Sequence, residues 1–464
     1  MKDNPALNMV SDGPKESATA AHRPVNHPVA NRMLLVLGLG AVCLSVVALV
    51  FVLVVWPQLD AIYHWREAHR DAEAGRFLEA REHLRRCLEV WPASGETHFQ
   101  MARICRRAGD YATAQHHLQQ ARQYRWPGAA VDLELLLLDV QANGARGPDA
   151  ATLQHFIYSN QHPDEKLILE ALVKGYVHNF YLRDAEYWLN YWVEMHPDDW
   201  FAYYWRGQLR ERFGKLDEAI ADYRQALRLS PGQLDAAFRL GQVLQQKGID
   251  LAEARQLFEL YLKAHPEDGP ALLGLARCHR GLGEPASAQA VLDRIKSDSP
   301  SYAKALLLRA LLASDQENYP QALEYLREAE RLNPKEPDIA HQLAHVLNQL
   351  GRPEEARPYA ERHKQLEAEL RELGDITREL LGTPADVEKR YRAGVILLRA
   401  GQEEGVRWLL TVLREDPNHR PTHEALAEFY SKSSVPEHRR LAELHRRRVR
   451  ELSEARPSGT PRSP

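Results

Sequence analysis

The sequence predicts an all-α fold, a solenoid of stacked helix pairs carried behind one membrane-spanning helix. Three observations predict it. A helical pattern of small and bulky residues returns about every 34 residues, clearest from Trp200 to Gln233. Proline closes unit after unit, at Pro92, Pro197, Pro231, Pro266, Pro300, Pro334 and Pro417. Ahead of the repeats, Met33–Trp56 runs 24 residues without a charge.

The elements follow in chain order. Residues 1–32 are rich in Pro, Ala, Asn and charge, and are expected to be a disordered tail. Residues 33–56 are long enough for a helix to span a hydrocarbon core of about 30 Å. A cleaved signal peptide competes poorly, because the polar leader is long and the apolar run ends WPQLD with no A-x-A site. Arg32 abuts the span, whereas the first basic residue beyond it is Arg66. That proximity places the N-terminus in the cytoplasm and the repeats across the membrane, in the periplasm if the cell is bacterial. Ala41 and Ser45, spaced i,i+4, would let two spans approach closely and self-associate; the alternative is incidental small residues facing lipid.

The unit WFAYYWRGQLRERFGKLDEAIADYRQALRLSPGQ explains the rest. Small residues at Gly207, Gly214, Ala219 and Ala226 alternate with bulky Leu216 and Tyr223 before the closing Pro231. This spacing describes two antiparallel helices in Gly/Ala contact, then a proline that stops the second. One pair cannot bury its apolar faces alone, so neighbours must stack. The pattern resembles the tetratricopeptide repeat (TPR) family. It recurs with Ala68, Gly75, Phe77, Ala80 and Leu84 in the first unit, and with Ala393, Gly405, Leu409 and Val412 in the unit closing at Pro417. The resemblance implies a right-handed solenoid of roughly nine to eleven pairs over residues 61–452. Departures are expected at a degenerate unit, about 129–163, and at a second helix that runs on over about 354–382. One extra residue falls near Ile249–Leu251, and residues 453–464 are expected to be a disordered tail.

Chemistry is sparse. Net charge is −4 over 464 residues, which argues against nucleic acid as a partner. Neither HExxH, GxSxG nor a phosphate-binding loop occurs, and the assigned elements leave no stretch for a catalytic domain. The expectation is no enzyme, no cofactor and no metal. His341 and His345 share a helix face, but two imidazoles without a third ligand do not make a site. Of the four cysteines, Cys43 lies in the span and Cys87 and Cys105 fall at packed positions. Free buried thiols are the simpler reading of that pair, and a disulfide in an oxidising compartment the other.

Partners are the remaining possibility. In the TPR family the first helix of each pair lines a concave groove through its second, fifth, ninth, twelfth and thirteenth positions. The resemblance then points to Trp65, Phe99, Arg103, Arg106 and Arg107 near the membrane. It points further along to Lys174, Tyr204, Gln208, Phe238 and Gln242, then to Arg277, Arg280, His345 and Asn348. Aromatic and arginine side chains dominate binding hot spots, and such a groove would take another protein or peptide. Tyr176–Trp205 holds 12 of the 37 aromatic residues, either as rings filling gaps between helices or as an exposed docking patch. The basic run HRRLAELHRRRVRELSEAR reads as a solvated cap or as a lipid or partner site. Two functions follow: a membrane-anchored scaffold for other proteins, or an accessory subunit of an envelope polysaccharide or secretion assembly.

Overall fold

Helices make every regular element of the computed structural model, which describes residues 44–454 apart from 145, 146, 160, 161 and 434. The leader, the start of the apolar run with Ala41 and Cys43, and the last ten residues lie outside the described residues. The chain divides into two compact units, Met1–Arg66 and Glu67–Pro464.

In the first unit the described chain belongs to α1, Leu44–Glu73, which is long and apolar enough to cross a membrane. Its side chains from Leu44 to Trp56 face outward, as a helix solvated by lipid requires. Over Phe51–Val55 the backbone widens into a π-helical turn.

The second unit continues from α1 into α2 (Phe77–Val90), α3 (Gly95–Ala108), α4 (Tyr111–Gln123), α5 (Gly128–Asn143), α6 (Pro148–Tyr158), α7 (Glu165–His178) and α8 (Leu182–Met195). Then come α9 (Trp200–Arg212), α10 (Leu216–Leu229), α11 (Leu234–Lys247), α12 (Leu251–Ala264), α13 (Gly269–Gly281), α14 (Pro285–Leu292), α15 (Tyr302–Asp315) and α16 (Tyr319–Leu332). The array ends with α17 (Pro337–Gln349), α18 (Pro353–Leu380), α19 (Val387–Arg399), α20 (Glu404–Glu415), α21 (Arg420–Ser431) and α22 (Pro436–Glu454). From α3 onward these helices pack as ten successive pairs, each against the next.

Local chemistry sets the boundaries. Side chains of Ser94, Asp110, Asp268 and Asp386 cap first turns by accepting from the backbone N–H three residues on. The turn inside most pairs uses one left-handed residue. Gly109 supplies it at φ 88°, and where glycine is absent Phe180 and Glu317 adopt φ 62° and 58°. The extra residue after Gly248 is absorbed by a second left-handed position, Asp250 at φ 46°. Glycine meets a ring within and between pairs: a Cβ at Gly207 would lie 2.7 Å from Tyr223 of its own pair, and one at Gly274 2.4 Å from Phe258 of the preceding pair. Both rings are fully buried, so small and large positions interlock. The helix expected to run on is α18, 28 residues with Pro358 inside. In the degenerate unit α5 packs more extensively on α7 than on its own partner α6. Cys87, Cys105 and Cys278 are free and buried.

The array also closes on itself. Phe180 packs on Trp408 with ring centroids 4.5 Å apart. Arg390 donates to the Asn179 carbonyl at 2.8 Å, Arg414 to the Asn179 side chain at 2.6 Å, and Tyr181 to Glu415 at 3.0 Å. Residues more than 200 positions apart thus meet. The aromatic-rich segment forms the hub of this closure. Tyr176, Tyr181, Trp188, Trp192 and Phe201 are buried, and only Tyr187 of the twelve is exposed. Packing, rather than an open aromatic patch, accounts for the cluster.

Candidate partner-binding surface

In the N-terminal pairs the first helices turn their polar groups inward. Arg106 is 0% exposed; its Nε donates to Glu134 at 2.5 Å and its Nη1 to Gln141 at 2.7 Å. Arg103 donates to the same carboxylate at 3.1 Å. Arg107 donates to Glu170 at 2.9 Å and lies 4.5 Å from the Phe77 ring. Lys174 donates to Glu170 at 2.6 Å and to the Arg107 carbonyl at 2.9 Å, with the Phe77, Phe201 and Trp205 rings each 5.5 Å away. Burial opposes the charge of Glu134, yet Arg106 and Arg103 outweigh it and hold the carboxyl below its usual range. Burial works against Glu170 in the same way, while Arg107 and Lys174 draw it down to about 2. Burial pulls Lys174 to about 8 against the attraction of Glu170. This network cements α3, α5 and α7. Arg106 has no surface to offer a partner, and buried Phe99 and Lys174 have little.

Other groove positions remain accessible. Tyr204, Gln208, Phe238 and Gln242 are half-buried, with Phe238 stacked on Tyr261 at 4.8 Å. Arg280 forms a bidentate pair with Asp315 at 2.6 and 2.9 Å. Arg277, His345 and Asn348 are exposed. Trp65 belongs to the first unit and is half-buried there.

An open concavity lies further on. A groove of ≈ 740 Å³ runs between α19 and α21, with His438 of α22 at one side. Tyr391, Val395, Leu398 and Phe429 form a half-buried apolar floor. Glu428 pairs with Lys432, and Glu424 with Arg420, both at 2.7 Å. At the other rim Lys335 and Arg399 are exposed and make no ion pair among the described residues. An apolar floor beside two available cations suits an apolar side chain flanked by a carboxylate. The positional rule extended to α19 selects Glu388, Tyr391, Val395, Leu398 and Arg399, and extended to α21 it selects Pro421, Glu424, Glu428, Ser431 and Lys432. Eight of these ten, all but Glu388 and Ser431, line this groove. The signal was therefore present in the sequence, beyond the last position taken from it, Asn348. Among the described residues no group of three or more His, Cys, Asp or Glu gathers as for a metal.

Family models for the tetratricopeptide repeat match residues 250–312 and 313–368, and one for the TPR repeat matches 213–248. Residues 213–368 are tetratricopeptide repeats. The chain is 42% identical over 55 residues to a TPR repeat-containing protein of Methanocaldococcus jannaschii, covering 12% of this chain and 16% of that one. Cellulose synthase 1 operon protein C of Komagataeibacter xylinus is 24% identical over 205 residues, 44% of this chain and 14% of that protein. The matched region thus spans 16% or less of these relatives. A crystallised tetratricopeptide repeat protein from Parabacteroides merdae is 17% identical, with TM-score 0.31 and coverage of 62% of this chain and 99% of that one. A MamA crystal structure is 18% identical with TM-score 0.30, covering 36% and 92%. Tetratricopeptide repeats present surfaces for protein–protein contact, and the groove between α19 and α21 has an open apolar floor.

Proposed function

We propose that this chain is a membrane-tethered, non-catalytic scaffold that docks a protein segment in the groove between α19 and α21. The groove's half-buried floor carries this reading: Tyr391, Val395, Leu398 and Phe429 are the kind of anchors that a partner desolvates. Arg399 and Lys335 select a carboxylate next to the inserted apolar side chain. Accessible positions along the array, among them Gln208, Gln242, Arg277 and His345, extend the contact. The apolar run Met33–Trp56 tethers the repeats to the membrane and raises their local concentration there. The spacing of Arg32 and Arg66 favours repeats on the extracytoplasmic side.

Similarity to cellulose synthase operon protein C, found in two Komagataeibacter species, supports a second and narrower reading. In it the partner belongs to an envelope polysaccharide assembly.

A photo-crosslinking residue placed at Val395 or Phe429 tests the site in intact cells. The expected result is the same adduct from both positions and none from Met195, an exposed position on the second helix of another pair. Equal labelling from all three would remove the groove from consideration. Protease treatment of intact spheroplasts should digest the repeats; full protection until lysis would reverse the topology.

A further inference from the structure

Two histidine pairs recur near opposite ends of the array with one geometry. Between α3 and α4, Nδ1 of His98 and Nδ1 of His117 are 2.8 Å apart, and His98 Nε2 is 3.1 Å from the Pro92 carbonyl oxygen. Between α21 and α22 the distances are the same: 2.8 Å for His423 and His445, and 3.1 Å from His423 Nε2 to the Pro417 carbonyl. Each first histidine is the fourth residue of its helix, and each proline closes the preceding unit. Tyr124 stacks on His98 at 5.4 Å and Tyr430 on His445 at 6.0 Å.

The tautomers follow from the partners. A carbonyl only accepts, so Nε2 of His98 and of His423 carries the hydrogen and their Nδ1 atoms accept. Nδ1 of His117 and of His445 must then donate. Both rings in each pair are neutral, and the nitrogen left to take a proton is Nε2 of His117 or His445. A proton there creates a cation with little to stabilise it. His445 is 5% exposed, and the titratable neighbour acting on it is His423, which disfavours the charge. The nearby Arg448 on its own helix is paired with Glu451, and Arg420 on α21 with Glu424. His117 faces His98 and His116, both unfavourable, and Asp110, which is favourable but shared with Arg81 of α2 at 3.4 Å. Burial is the first cause that holds both His117 and His445 down to about 4.

We propose that these pairs are acid-released latches, holding the α3–α4 and α21–α22 units closed at neutral pH and freeing them on acidification while the units between stay folded. The direction is fixed by linkage. An imidazole near 6.5 when unfolded and lower when folded stabilises fully above about 6.5, and that support is lost as pH falls towards 4. Between pH 7.5 and 5.0 each latch should raise local opening on the order of 30-fold, less for the half-buried His117. The second latch also has a consequence that rests on the groove reading. It joins α21, which carries Phe429, to α22, which carries His438, so its release loosens one groove wall.

Hydrogen exchange of the full chain in detergent, at pH 7.5 and 5.0 with correction for intrinsic rates, tests the latches without any ligand. The expected result is lost protection in α3–α4 and α21–α22 with little change in α11–α12. His117→Gln and His445→Gln retain a donor but cannot titrate, and each should flatten the pH response of its own end alone. Uniform loss along the array, or an unchanged response in the Gln variants, would overturn the proposal. Should a variant lack protection already at pH 7.5, ring-labelled histidine resonances of the native chain decide the matter: titration of His445 above pH 6 rejects the latch. Exchange that behaves as expected with no adduct from Val395 would reject the groove and leave the latches standing.

Discussion

Replacing Glu170 and replacing Lys174 should have very unequal effects, although the two form one ion pair at 2.6 Å. Glu170 falls from 4.5 to about 2 in the folded chain, which corresponds to ~3 kcal/mol of stabilisation at neutral pH. Lys174 falls from 10.5 to about 8, a cost of ~3 kcal/mol for keeping its charge. The stabilised anion and the penalised cation oppose each other, which is why such buried pairs often gain little over apolar replacements. Glu170→Gln, however, leaves buried Lys174 and half-buried Arg107 without their anion, a loss of about 3–5 kcal/mol. Lys174→Met removes the desolvated cation, keeps Arg107 on Glu170, and places an apolar chain among Phe77, Phe201 and Trp205; its effect should stay within about 1 kcal/mol. Native-state hydrogen exchange of α7 amides at pH 7 measures both. The Gln variant should lose more than about a hundredfold in protection and the Met variant less than tenfold. Glu170 contributes fully above about 4.5 and progressively less as pH falls towards 2, so the penalty of the Gln variant should shrink below pH 4. Equal losses in the two variants would refute the reasoning.

Two further outcomes follow from the packing. Gly274→Ala puts a Cβ 2.4 Å from the Phe258 ring and should cost about 1–3 kcal/mol in a thermal melt; Phe258→Leu in the same chain should recover part of it. Burial pushes the Cys105 and Cys278 thiols up to about 11, so in a Cys43→Ser chain at pH 8 neither should be alkylated until the protein is unfolded, as mass spectrometry will show.

The repeat spacing made the fold legible because each unit solves the same local problem: small residues where helices cross, a left-handed turn, a stop. Gly207 against Tyr223 and the long α18 could be read for that reason. Long-range closure could not, since nothing in the period distinguishes Phe180 or Trp408 from other packed rings. The groove positions illustrate the same limit. The positional rule picks the right helix face, but it cannot tell that Arg106 will be matched by Glu134 on α5, or Lys174 by Glu170. Arg106 is buried by a carboxylate one unit away, and Lys174, although i,i+4 from Glu170 on its own helix, is enclosed by the Arg107 carbonyl and the Phe77 and Phe201 rings of other units. Where the array presents no such partners, at Tyr391 and Arg399, the rule leads to open surface. The histidine pairs were invisible for a further reason, because separations of 19 and 22 residues carry no helical period.

The contact of Phe180 and Arg390 with elements so distant in the chain changes how the protein can be dissected. A linear repeat array tolerates shortening, since each unit leans only on its neighbours. Here a chain cut before Val387 would strip Trp408, Arg390 and Arg414 from the middle of the molecule, baring Phe180 and the Asn179 backbone. Progressive truncation from the C-terminus would then damage pairs that were never removed, and a partner lost in such a series would be assigned to the wrong place. Point substitutions in the intact chain avoid that error.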